Sequence, residues 1–114
     1  MAKIKIVTDK VTMTATLNES ESARTFYQAL PIEGSASRWG DEVYLDIGLA
    51  MPEEDPQPEV PSGAVAYWPT GTAFCIFFGQ TPYSPVNVLG MLDGDPKEFA
   101  QVQSGETVRL EKAE

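Results

Sequence analysis

The sequence predicts a mainly β fold, a closed barrel of about eight short strands with one longer and one short helix. Three observations lead there. Short runs of apolar residues alternate with polar ones and are separated by turn residues at regular spacing. A single segment has a clear helical period. Most strands have no crossover helix between them, which disfavours a parallel α/β sheet. At 114 residues the chain is expected to form one domain, 1–114.

The elements follow in order. Ile4, Ile6 and Val7 lie in a β-prone run, and Asp9-Lys10 marks a hairpin turn. Val11, Met13, Ala15 and Leu17 then alternate with Thr12, Thr14 and Thr16, the period of a half-buried strand. Asn18, with Glu21 three residues on, reads as a helix cap. Ala23, Phe26, Tyr27 and Leu30 fall on one helical face of about three turns, and Pro31 ends it. Residues 32–38 read as one small-residue strand, and Trp39-Gly40-Asp41 as a turn. From 42 to 47, Val43, Leu45 and Ile47 form one face, and Glu42, Tyr44 and Asp46 the other.

Residues 51–63 hold four prolines and four acids, which predicts an extended, mobile loop. Ala64 to Trp68 reads as a strand. The run Phe74-Cys75-Ile76-Phe77-Phe78 has no polar alternation, as in a strand buried on both faces. Residues 80–85 form a Pro-containing loop and 86–92 a further strand. Asp95-Pro96 opens a short helix to Val102, and Val108 and Leu110 mark the last strand.

Composition excludes several chemistries. With no histidine, the chain lacks His general bases, Ser-His-Asp and Cys-His nucleophile systems, and His-ligated zinc. One cysteine, Cys75, allows no internal disulfide, and its apolar run reads as inert packing. No metal-ligand cluster or glycine-rich phosphate loop is present, and no cofactor is expected. The net charge is −9, and no Lys or Arg occurs between Arg38 and Lys97. Such a surface repels phosphate, so neither nucleic acid nor an anionic membrane is an expected partner. The charge reads either as a means of solubility or as a preference for a cationic or neutral ligand. The start, MAKIKIVTDK, lacks the apolar core and cleavage site of a signal peptide, so a cytoplasmic location is expected.

Polar and aromatic groups concentrate in Arg38-Trp39-Gly40-Asp41-Glu42-Val43-Tyr44. Arg38 reads either as a salt-bridge partner of Asp41 or Glu42, or as a donor to a ligand carbonyl or carboxylate. Trp39 caps the core on the first reading and walls a pocket on the second. Tyr67, Trp68, Phe74, Phe77 and Phe78 supply more aromatic surface than a small barrel interior can hold, so some should line a concave site.

The segments ALPIE (29–33), RWGDEVY (38–44), AYWP (66–69), GTAFCIFFG (71–79) and SPVNVLG (84–90) occur in that order. Together they resemble a prokaryotic family of small cyclophilin-like domain proteins of unassigned function. The resemblance implies an eight-stranded cyclophilin-like barrel capped by helices. It also implies a loop after Gly79 shorter than in relatives. Cyclophilins use an Arg, a Gln, a His, a Trp and Phe residues on the prolyl substrate. Matched through the Gly-Ser-Gln-Phe-Phe-Ile segment, the Gln position is Ala73 here and the proline-pocket Phe position is Cys75. The His has no counterpart, and Arg38 is the evident candidate for the Arg role.

The expected function is a binding module for a small molecule or a Pro-containing peptide. Its groove would be lined by Trp39, Tyr44, Tyr67 and Phe74, with Arg38 and Glu42 as polar anchors. The alternative is a weak or specialised peptidyl-prolyl cis-trans isomerase, with Arg38 as candidate catalytic residue. In an enzyme of another class, acid-base work would fall to Glu42, Tyr44 or Asp46. The aromatic surface and extended loops leave a homodimer open.

Overall fold

The computed structural model describes residues 2–80, 82 and 84–113. β1 (Lys3–Val7) and β2 (Thr12–Leu17) form the expected hairpin. Its turn is closed by Thr8 N donating to Val11 O at 2.7 Å and Val11 N to Thr8 Oγ1 at 2.9 Å. The period-two pattern works as read: Ile4, Ile6, Met13, Ala15 and Leu17 are buried, and the intervening threonines are not.

Helix α1 (Glu21–Gln28) is capped by Ser20, not Asn18; the Ser20 side chain accepts from Ala23 N. Asn18 stands one step back, where its Oδ1 accepts from Ser20 N at 3.0 Å and Ser20 Oγ at 2.6 Å. Both residues are good caps, and the side chain nearer the free N–H groups takes the role. The helix is shorter than its apolar pattern, ending before a cis Leu30–Pro31 bond. Its buried face inserts Phe26 against Phe74, the rings stacked 5.1 Å apart at 7°.

The remaining strands are β3 (Ile32–Ser35), β4 (Ser37–Arg38), β5 (Glu42–Asp46), β6 (Ala64–Trp68), β7 (Ala73–Phe77), β8 (Asn87–Leu92) and β9 (Thr107–Lys112). They form one antiparallel sheet in the order β3-β9-β1-β2-β8-β6-β7-β5-β4. The strands number nine rather than eight. The expected strand at 32–38 divides at buried Ala36, with β3 pairing β9 and β4 pairing β5. The two ends of the sheet are thus consecutive in the chain, which nearly closes the barrel. Gly34 allows the approach, since a Cβ there would lie 3.1 Å from Leu45 Cδ1. The short helix is a 3-10 segment, Pro96–Gln101, with the Asp95 side chain accepting from Lys97 N as expected. Among the described residues no helix is long and apolar enough to cross a membrane.

The Pro-rich loop is extended but tied down. Fully buried Tyr67 donates from its hydroxyl to Leu49 O at 2.8 Å and accepts from Met51 N at 3.0 Å. Asn87 donates to Pro52 O and accepts from Glu54 N, both at 2.9 Å. The Glu54 carboxylate accepts from Ser22 N at 2.8 Å and Glu21 N at 3.2 Å, on the first turn of α1. These bonds hold its pKa below the usual carboxylate value. A bridge between Gln57 and Val86 adds a further tether. Four prolines do not make a segment mobile when its free backbone groups have buried partners.

Candidate functional site

Strand β7 is buried along its whole length because it has apolar neighbours on both faces. Phe74 and Ile76 point into the barrel interior with Val43, Leu45, Val65 and Tyr67. Cys75 and Phe77 point the other way and form a second apolar cluster with Ala66, Ala73 and Val86, against which Tyr44, Val60 and Trp68 pack. The middle of this outer face carries small side chains, Ala66, Ala73 and Cys75, while its margins carry large ones. Beside the small Cys75 side chain this face has a hollow.

The hollow is a cleft of about 150 Å³ lined by Trp39, Glu42, Tyr44, Trp68, Cys75, Phe77, Pro82, Ser84 and Val86. A space of that order takes one benzene-sized group. Strand register builds two walls, with Glu42 opposite Phe77 and Tyr44 opposite Cys75 on the same face. Trp39 comes from the β4–β5 turn, which closes through Trp39 N to Glu42 O at 3.0 Å. Trp68 Nε1 donates to Ser84 Oγ. The Trp68 ring rests against Gly71, where a Cβ would lie 2.6 Å from its edge carbons. Residues 81 and 83 of the adjoining loop lie outside the described residues, as does part of the loop expected to be short.

Glu42 is the chemical feature of the cleft. The residue is 6% exposed. Burial pushes its carboxyl up to about 7, partly offset by a hydrogen bond from the Cys75 thiol. The Cys75 thiol in turn is raised well above its ordinary range by burial and by the Glu42 carboxyl, so it is no nucleophile at neutral pH. Asp46 is exposed and its Oδ1 accepts from Thr72 Oγ1 at 2.7 Å and Gly48 N at 2.9 Å. Those bonds hold its pKa low, and it does not line the cleft.

The structure therefore brings together three of the sequence-derived candidates, Trp39, Glu42 and Tyr44. Three others lie elsewhere. Tyr67 and Phe74 belong to the barrel interior. The Arg38 guanidinium is engaged by backbone carbonyls. Nε and Nη2 donate to Gly40 O at 3.1 and 2.9 Å, and Nη1 donates to Ala100 O at 3.0 Å and Val102 O at 2.8 Å. It also lies 5.1 Å over the Phe78 ring. Arg38 ties the β4–β5 turn to the 3-10 segment. Arg38→Ala should accordingly lower unfolding stability by about 2 kcal/mol in urea denaturation, because several carbonyls lose a charged donor at once. Arg38→Lys should recover little of this, lacking the planar fork. Of the aromatics expected to line a concave surface, Trp68 and Phe77 also line the cleft, and Cys75, Pro82, Ser84 and Val86 complete it without having been marked by the sequence. Among the described residues no cluster of His, Cys, Asp or Glu could hold a metal ion.

Because the chain has no histidine, Glu42 should be the side chain that titrates near neutrality. A carboxyl 13C NMR titration should show one glutamate with a midpoint about 7. The folded pKa lies above the ordinary 4.5, so the native state binds more protons in between. Glu42 then favours folding fully below that value and loses the contribution as pH rises through about 7. Glu42→Gln should flatten this part of the stability profile.

With the geometry in place, comparison with known proteins gives the class. The cyclophilin-like family matches residues 2–111. The chain belongs to this family. It is similar over 98% of its length to a hypothetical protein, AF2241 from Archaeoglobus fulgidus, with a solution structure. The identity is 33%, the TM-score 0.84, and 95% of that chain is covered. It is also similar in fold to McbB, whose structure is a complex with tryptophan, at 17% identity and a TM-score of 0.76. That match takes in 96% of this chain and 44% of McbB. No curated protein sequence matches the chain.

Proposed function

We propose that this protein is a binding module whose outer-face cleft holds one ring-sized part of a small molecule or of a Pro-containing peptide. The observation that carries the reading is the hollow itself, with aromatic margins, the small Cys75 side chain among its lining and a single buried carboxyl. An apolar hollow with few polar groups is the usual form of a small-molecule site. McbB, a neighbour in fold, is seen with tryptophan.

Prolyl isomerisation is the second reading. The positions matched to the cyclophilin Gln and proline-pocket Phe, Ala73 and Cys75, belong to the cluster of this face. Of the two, Cys75 lines the cleft, whose space a pyrrolidine ring could occupy. Against catalysis, the Arg38 guanidinium already serves three carbonyls, and the lining of the cleft contains no cationic donor.

Two-dimensional exchange NMR with a panel of Xaa-Pro peptides separates the readings in one sample. Binding without catalysis should shift resonances of Trp39, Tyr44 and Cys75 and produce no cis/trans exchange cross-peaks. Protein-dependent cross-peaks abolished by Glu42→Gln or by filling the hollow with Cys75→Phe would put isomerisation first. If neither peptides nor small aromatic molecules move resonances of the cleft, the binding reading fails.

A further inference from the structure

The cleft holds a carboxyl with no cation to meet it. Every residue lining it lies between 39 and 86, and the sequence has no Lys or Arg between Arg38 and Lys97. Among the described residues no ion pair includes Glu42. The nearest base in sequence, Arg38, is fixed on the carbonyls of residues 40, 100 and 102. Glu42 faces Tyr44 on β5, and on β7 the Cys75 thiol and Phe77; the β4–β5 turn supplies Trp39. Trp68 of β6 and Pro82, Ser84 and Val86 complete the rim, and none of these groups is positively charged at neutral pH.

Resting on the binding reading above, the geometry points to an organic cation as the ligand class: a protonated amine carried on or beside one ring, its ammonium paired with the Glu42 carboxylate. Two independent features converge on this. A buried carboxylate is costly until a counter-charge reaches it. Aromatic side chains attract cations through the negative faces of their rings, and this cleft has Trp39, Tyr44, Trp68 and Phe77 around the one acid. A neutral ring would use the apolar hollow but not the carboxylate. An anion would meet like charge on a chain of net charge −9.

Binding of such a ligand must favour ionised Glu42. With a midpoint about 7, the ionised fraction rises about tenfold between pH 6 and pH 8. Amine affinity should rise by about the same factor, while affinity for a neutral analogue should not.

The test uses three one-ring probes of similar size, benzylamine, benzyl alcohol and benzoate, titrated into the full chain and followed by tryptophan fluorescence and NMR. Benzylamine is expected to bind about tenfold or more tighter than benzyl alcohol at pH 8, and benzoate more weakly than either. The preference should shrink at pH 6 and vanish in Glu42→Gln, which leaves the hollow open. Equal affinity for benzylamine and benzyl alcohol in the wild type would overturn the cation assignment and leave the binding reading standing. No binding of any probe would overturn the cation assignment, and the binding reading falls with it if the Xaa-Pro peptides also leave the cleft resonances unmoved. The wild-type pH comparison decides the matter even if the Glu42→Gln variant folds poorly.

Discussion

Gly90→Ala should destabilise the protein by on the order of 4 kcal/mol, a loss at the upper end of what single substitutions cause. Gly90 lies on β8 opposite Leu17 of β2, and also opposite Val65 of β6. A Cβ at this position would lie 2.1 Å from Thr16 O and 2.9 Å from Leu17 Cα. Both are backbone atoms of the neighbouring strand, so no side-chain rotation relieves the clash. The β2–β8 ladder must separate, and it joins the β1–β2 hairpin to the strands that carry the cleft. Against a typical total of about 5–15 kcal/mol, the variant would lose between about a quarter and most of its stability. Urea denaturation of both proteins measures the difference; a loss under 1 kcal/mol would mean that the strands are not so closely held.

Phe74→Ala should cost about 3–5 kcal/mol, the usual range for removing a buried aromatic ring. Phe74 is fully buried and its ring stacks on Phe26, the residue by which α1 is seated on the barrel. This variant also tests where Phe74 belongs. Were it a ligand contact, the substitution would weaken binding with modest loss of stability. With Phe74 inside the barrel, stability should fall steeply, and the protein that remains folded should keep its affinity for a one-ring ligand. The converse substitution, Cys75→Phe on the next residue, should fill the hollow and abolish binding. The two results together distinguish the inner from the outer face of β7.

Much of the barrel was legible because most strands have one polar face. In β5 the alternation of Val43 and Leu45 with Glu42 and Tyr44 assigned the faces correctly from sequence. In β7 it could not, because a strand buried on both faces carries no polar residue to mark parity. Tyr67 and Phe74 therefore joined Trp39 and Tyr44 in the expected groove, although register places Tyr67 opposite Phe74 toward the interior. Trp68 and Cys75, one residue on in each strand, line the cleft instead.

Arg38 drew attention as the base nearest an acidic stretch, but its partners are carbonyls of residues 100 and 102 as well as of its own turn. Main-chain acceptors leave no mark on side-chain composition. The same holds for the Pro-rich loop, whose anchors Tyr67 and Asn87 are far from it in sequence. The ninth strand arose in the same way. Nothing in residues 32–38 shows that the two halves pair with different neighbours; closure of the barrel decides that.

The two tryptophans of the chain, Trp39 and Trp68, both line the cleft. Their indole Nε1–H resonances therefore report directly on whether this hollow is the binding site. The most direct measurement is a 1H–15N titration of labelled protein with benzylamine at pH 8. Both indole resonances are expected to move together and saturate with a single affinity, and to be unaffected by the ligand in Cys75→Phe. Saturable shifts confined to other parts of the barrel, with both indoles unmoved, would contradict the assignment of the cleft.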